Sequence, residues 1–150
     1  MRTKTFLLNL LILNLAAGVC PGAQVPGATE RLEADKPLER EIAGGQSHTF
    51  QIQLTAGQFV RLRLQQRAID ASLILTAPDG KQLVEMNLNG PGEEESLSLE
   101  AAVTGSYRLT VRGGGAATLH GSYRLAAAAQ ATATAQDRKR LAGEAALIEA

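Results

Sequence analysis

The chain has 150 residues, 45% of them apolar and only 3% aromatic, so any core must be mostly Leu, Val, Ile and Ala. Its fifteen basic and fifteen acidic residues cancel, which excludes the electrostatic footprint of a nucleic-acid binder. The single cysteine, Cys20, excludes an intrachain disulfide and a zinc cluster.

Arg2 and Lys4 precede an apolar run from Phe6 to Ala17, broken only by Asn9 and Asn14, and small residues follow. That order is the signature of a secretory leader, and the run is too short for an ordinary membrane span. The expected signal peptide occupies residues 1–23, with cleavage after Ala16-Ala17-Gly18 or after Pro21-Gly22-Ala23. The leader engages a membrane only during export, and the mature chain is expected in the periplasm or outside the cell. A lipid anchor on Cys20 is the lesser alternative, because Val19 stands where such sites want a small residue. Residues 24–36 carry no apolar period and read as a flexible spacer.

The domain itself is expected at residues 37–127. Eight runs read as strands: 37–42, 47–55, 58–66, 70–77, 81–87, 95–101, 106–112 and 119–127. In the second, His48, Phe50, Ile52 and Leu54 alternate with Thr49, Gln51 and Gln53; in the third, Val60, Leu62 and Leu64 alternate with Phe59, Arg61 and Arg63. Strict period 2 is the mark of half-buried strands. Ala56-Gly57-Gln58, Pro78-Asp79-Gly80 and Thr104-Gly105-Ser106 punctuate the runs with turn residues. The same parity selects Leu73, Leu75, Leu97, Leu99, Tyr107, Leu109, Val111, Tyr123 and Leu125 as further core residues. Short strands at this spacing, with no helix among them, predict an all-β fold: an antiparallel, eight-stranded, jelly-roll-like β-sandwich, with an open barrel as the alternative.

No run carries a catalytic constellation. Ser47-His48 lacks a third orienting group, and no Gly-x-Ser-x-Gly elbow exists. Gly113-Gly114-Gly115 leads into a strand without Lys-Ser/Thr, so it reads as a hairpin loop and not as a phosphate cradle. Glu93-Glu94-Glu95 reads as a solvated loop, since calcium wants spaced oxygen ligands. Asp70 reads as a turn residue bonding backbone at its strand entrance. The one surface pattern that invites a functional reading is Phe59, Arg61, Arg63 and Arg124, expected on the outward face of neighbouring strands. Guanidinium groups read carboxylates and phosphates bidentately, so a partner carboxylate or an anionic glycan would suit them; the plainer reading is a solvated face balanced by Glu39, Glu41 and Glu100.

From Ala126 the composition turns to Ala, Gln and Thr, and residues 128–150 read as an Ala-rich helical tail. Asp137 suits its N-terminus, and Leu141, Ala145 and Ile148 form an apolar stripe. Arg138, Lys139 and Arg140 oppose the helix dipole there. The tail is therefore expected to be weakly docked, to order against a downstream helical domain, and not to be a natural domain end.

Gly45 to Ile52, Thr55-Ala56-Gly57-Gln58, Ile69 to Leu73, Ala77-Pro78-Asp79-Gly80 and Thr104 to Leu109 occur in one succession. In that order they resemble the bacterial pre-peptidase C-terminal domain, in the variant that precedes tetratricopeptide repeats and a caspase-like CHAT peptidase domain in large exported proteins. The resemblance implies a jelly-roll-like sandwich and a non-catalytic accessory role; a linked peptidase would lie outside this chain. Some relatives bind calcium through clustered acids, but Asp70 and Asp79 stand alone, so neither metal nor cofactor is expected. The expectation is a monomeric extracytoplasmic interaction domain. A stand-alone carbohydrate- or envelope-binding module is the alternative, and a small hydrolase is disfavoured.

Overall fold

The computed structural model describes residues 29–148. The leader, Cys20 and the first residues of the expected spacer lie outside the described residues. Nine strands and one helix follow in order: β1 (Glu30–Arg31), β2 (Leu38–Ala43), β3 (Ser47–Leu54), β4 (Phe59–Arg67), β5 (Ala71–Thr76), β6 (Gln82–Met86), β7 (Glu94–Glu100), β8 (Gly105–Gly113), β9 (His120–Gln130) and α1 (Ala135–Ile148).

The strands form two sheets, β1-β3-β8-β5-β6 and β2-β9-β4-β7. Pairing is nested and antiparallel: β2 with β9, β3 with β8, β4 with β7 and β5 with β6. Successive pairs alternate between the sheets, which is the winding of a jelly roll. Turn chemistry supports each reversal. Gly80 donates its N–H to the Ala77 carbonyl at 3.0 Å with φ of 89°, while Asp79 Oδ1 accepts the Lys81 N–H at 2.9 Å. The core lies between the sheets and contains the residues that parity selects; only Leu99 is less than fully buried.

Among the described residues the strands number nine, not eight, because β1 adds a parallel pair to β3 (Glu30↔Phe50, Arg31↔Gln51). The expected spacer is therefore anchored from Glu30 onward: the Leu32 N–H donates to the Gln51 carbonyl at 2.8 Å, and the Leu32 side chain, 2% exposed, joins the core. A lone apolar residue in a polar run carries no period, which is why the anchor was invisible. At the other end, β9 runs on to Gln130, beyond the expected domain limit at residue 127. Ala126 to Gln130 pair with β4 from Arg63 back to Phe59, so sheet pairing overrides the weak strand preference of alanine.

Two corrections concern polar residues. Glu95 is not solvated with Glu93 and Glu94: it faces inward in register with Leu64, is 1% exposed, and accepts the N–H groups of Leu88 at 2.7 Å and Asn89 at 2.6 Å. The Asp70 carboxylate does not hold the strand entrance. Gln66 Oε1 accepts the Ala71 N–H instead, and Asp70 uses its backbone carbonyl, which accepts from Gly114 at 2.8 Å.

Candidate functional site

The outward face of the four-stranded sheet carries the expected arginines. Register sets them out rung by rung: Arg61 beside Ala128, Arg63 beside Ala126, Arg124 beside Gln65, and Arg67 beside Ser122. Outward side chains on one strand recur about every 6.8 Å, so the four rungs span roughly 20 Å. Arg63, Arg67 and Arg124 are exposed and Arg61 is half-buried. Arg67 was not among the expected site residues, although its parity with Arg61 and Arg63 would have found it.

The anions on this face lie on the edge strands. Glu39 and Glu41 come from β2, and Glu94 and Glu100 from β7. One Glu39 oxygen lies 3.6 Å from an Arg124 nitrogen and 3.9 Å from an Arg67 nitrogen, so a single carboxylate is shared. Arg61 and Arg63 have neutral cross-strand neighbours on both sides, Ala128 and Ser98 for one, Ala126 and Ser96 for the other. Arg61 Nε donates to Ser96 Oγ at 3.3 Å. Among the described residues neither arginine has a carboxylate within 4.0 Å.

Phe59 is not part of the exposed surface. It shares the outward parity of the arginines, yet it is 3% exposed. α1 lies over this end of the face, and Phe59 and Arg61 line a cleft of about 230 Å³ with Gln130, Asp137 and Arg140. Period 2 tells which face a side chain takes, and it is silent on whether a later helix covers it.

Among the described residues the helix docks mainly by polar contacts, and of the expected apolar stripe Leu141 turns to the sheet while Ala145 does not. Thr134, not Asp137, is the N-cap residue: its Oγ1 accepts the Asp137 N–H at 3.2 Å, and Asp137 Oδ2 accepts the Thr134 N–H at 2.9 Å. This reciprocal arrangement satisfies two donors that a helix start leaves free. The Thr134 hydroxyl and N–H hold the Asp137 carboxyl below the usual carboxylate range, with help from Gln130 and Arg140 against the opposing effect of burial. Asp137, Arg140, Leu141 and Glu144 face the sheet, whereas Ala142 and Ala145 are exposed; the side chain of Ile148 lies outside the described residues. Glu144 Oε2 accepts the Ser98 N–H at 2.7 Å, and Oε1 accepts the Ser98 hydroxyl at 3.1 Å. Arg138 Nε stands 3.9 Å from Glu100.

The remaining polar groups serve the fold. His48 Nδ1 lies 2.7 Å from the Tyr123 hydroxyl where the two sheets meet. Burial lowers the pKa of His48 and the nearby Arg40 adds to this, Glu30 opposing; burial likewise raises Tyr123 well above its ordinary value. Arg40 Nη2 reaches both Glu30 carboxylate oxygens at 2.7 and 2.8 Å, tying β1 to β2 across the sheet edges. The glycine run packs backbone on backbone: a Cβ on Gly113 would lie 2.4 Å from the Ala43 carbonyl oxygen. A shallow hollow of about 590 Å³ is lined by Glu41, Arg67, Ala68, His120 and Ser122. Among the described residues no three His, Cys, Asp or Glu side chains gather as metal ligands.

Three solved structures share the fold. The pre-peptidase C-terminal domain of a collagenase from Bacillus anthracis is 15% identical with a TM-score of 0.55, the match covering 69% of this chain and 98% of that one. PliG of Aeromonas hydrophila, a periplasmic inhibitor of g-type lysozyme, is 16% identical with a TM-score of 0.55, covering 68% of this chain and 96% of that one. PliG of Salmonella Typhimurium is 18% identical with a TM-score of 0.51, covering 69% and 100%. No protein-family model and no curated protein matches the chain in sequence.

Proposed function

We propose that this chain is a non-catalytic extracytoplasmic interaction domain, the leading part of a larger exported protein of the tetratricopeptide-repeat and CHAT kind. The observation that carries the reading is the fold. One of its neighbours is the pre-peptidase C-terminal domain of a collagenase, and two are periplasmic inhibitors of g-type lysozyme. The two inhibitors are named for acting on another protein, and fold alone does not supply a reaction. The leader sequence agrees with an extracytoplasmic location.

The site geometry agrees as well. Ser47 and His48 are adjacent on β3, where successive side chains point to opposite faces, so they form no serine–imidazole pair. The stand-alone glycan-binding alternative loses its aromatic platform, since Phe59 is buried beneath α1. The domain acts as a monomer, without metal or cofactor.

The test is export and recovery in a bacterial host. The tagged natural protein should appear in the periplasmic or extracellular fraction, co-purify with a protein partner, and show no turnover in a panel of ester, peptide and glycoside substrates. Turnover that survives repurification, or retention in the cytoplasm, would overturn the reading.

A further inference from the structure

On the outer face of the four-stranded sheet the charges are sorted by strand. Cations stand on the central strands β4 and β9, and carboxylates on the edge strands β2 and β7. Four successive rungs each carry one arginine opposite a small or neutral residue, in the order Arg61, Arg63, Arg124, Arg67. Only the last two have a carboxylate close by, and they share it. At the α1 end of the column Arg61 and Arg63 stand between Ala128 and Ala126 on one side and Ser98 and Ser96 on the other. Arg63 is exposed to solvent, and Arg61, half-buried beside α1, opens onto the cleft that it lines with Gln130, Asp137 and Arg140.

We propose that this column is a docking track for an extended acidic polypeptide segment, with carboxylates at alternate positions bound by Arg61 and Arg63. The proposal deepens the reading of the chain as an interaction domain and rests on it. An extended chain presents the side chains of one face about every 6.8 Å, the same repeat as the rungs beneath it. Carboxylates at i and i+2 therefore meet successive arginines without a change of register. Guanidinium pairs with carboxylate in a planar, two-bond geometry. The chain already shows one carboxylate seated on this region: Glu144 on Ser98.

The flanks select the kind of partner. Glu39, Glu41, Glu94 and Glu100 stand outside the column and repel a broad anionic surface, such as a membrane or a nucleic-acid duplex. Only a narrow chain fits between them. An anionic polysaccharide is narrow too, but its sugar rings find no stacking platform here, because the one aromatic of this face, Phe59, is buried. With cations and carboxylates nearly balanced there, long-range steering is small and recognition depends on close pairing.

The experiment is fluorescence anisotropy of a dye-labelled peptide of alternating Glu and Ser against the natural protein. Probes of alternating Lys and Ser, of polygalacturonate and of phosphatidylglycerol vesicles run alongside. The Glu-Ser peptide should bind, and binding should weaken as salt rises. R61S/R63S should weaken it about tenfold, the sum expected of two arginine–carboxylate pairs at the surface, one exposed and one half-buried. R108S/R112S, which removes two arginines from the other sheet, should leave it unchanged. Thermal melting of both variants should match wild type, since these are surface changes. Equal binding by R61S/R63S, stronger capture of polygalacturonate or vesicles, or no peptide binding would each overturn the proposal. None of these would disturb the interaction-domain reading, which fails only on turnover or cytoplasmic retention.

Discussion

Glu144 on α1 seals the free edge of the four-stranded sheet by accepting both the backbone N–H and the hydroxyl of Ser98 on β7. An edge strand offers unpaired donors to any passing chain, and a helix laid along it is one way to blunt that hazard. Because α1 also covers Phe59, the helix that Glu144 helps to hold closes over both an edge and an apolar spot.

Replacing Glu144 with Ala should loosen the helix without unfolding the sandwich. The Ser98 amide loses its partner, at a cost of about 1–3 kcal/mol for a donor left unpaired. Hydrogen exchange should accelerate at Ser98 and through 138–146, while β3 and β8 keep their protection. Unchanged exchange at Ser98 would mean that the helix docks by other contacts.

The sheets are the most legible part of this molecule, because inward and outward residues alternate strictly. Leu62, fully buried between Leu97 and Ala127 in register, is a direct consequence of that parity. Leu62→Ala should cost about 2–5 kcal/mol in urea unfolding, as buried leucine truncations do. A loss within error would mean a wrong register for β4.

What alternation does not encode is the third layer. Phe59 has the parity of an exposed residue and is buried only because a helix encoded some 75 positions later (Ala135 onward) lies over it. Glu95 could have been read inward from its parity with Leu97, but three adjacent acids suggested solvent. Thr134-x-x-Asp137 was present as a capping signal, yet the eye falls on Asp137 alone. Leu32 had no local signal at all; its burial depends on where β3 lies in space.

Stability should fall on mild acidification because of His48. Burial and Arg40 lower its pKa in the folded state, so the unfolded chain takes up the proton first. The stabilisation is complete above the ordinary histidine value of about 6.5 and is lost as pH falls through the lower folded value. The melting temperature should drop as pH falls below about 6.5, and less steeply in His48→Gln, which keeps a side-chain partner for Tyr123. Parallel pH profiles for the two proteins would remove His48 from the account.

The glycine run should prove structural. In Gly113→Ala the new methyl would sit 2.4 Å from the Ala43 carbonyl oxygen, forcing the β2–β3 turn and the end of β8 apart. Overpacking of this sort costs about 1–3 kcal/mol. A neutral change in denaturant unfolding would show that the turn yields freely.

The central claim is that the chain works by binding along the arginine column of β4 and β9. Amide chemical-shift mapping of the isotope-labelled protein titrated with the alternating Glu-Ser peptide tests it most directly. Shifts should concentrate at Arg61, Arg63, Arg124 and their neighbours Ala126, Ala128, Ser96 and Ser98, fading with added salt. Shifts centred on the other sheet, or on the hollow around His120, would contradict it.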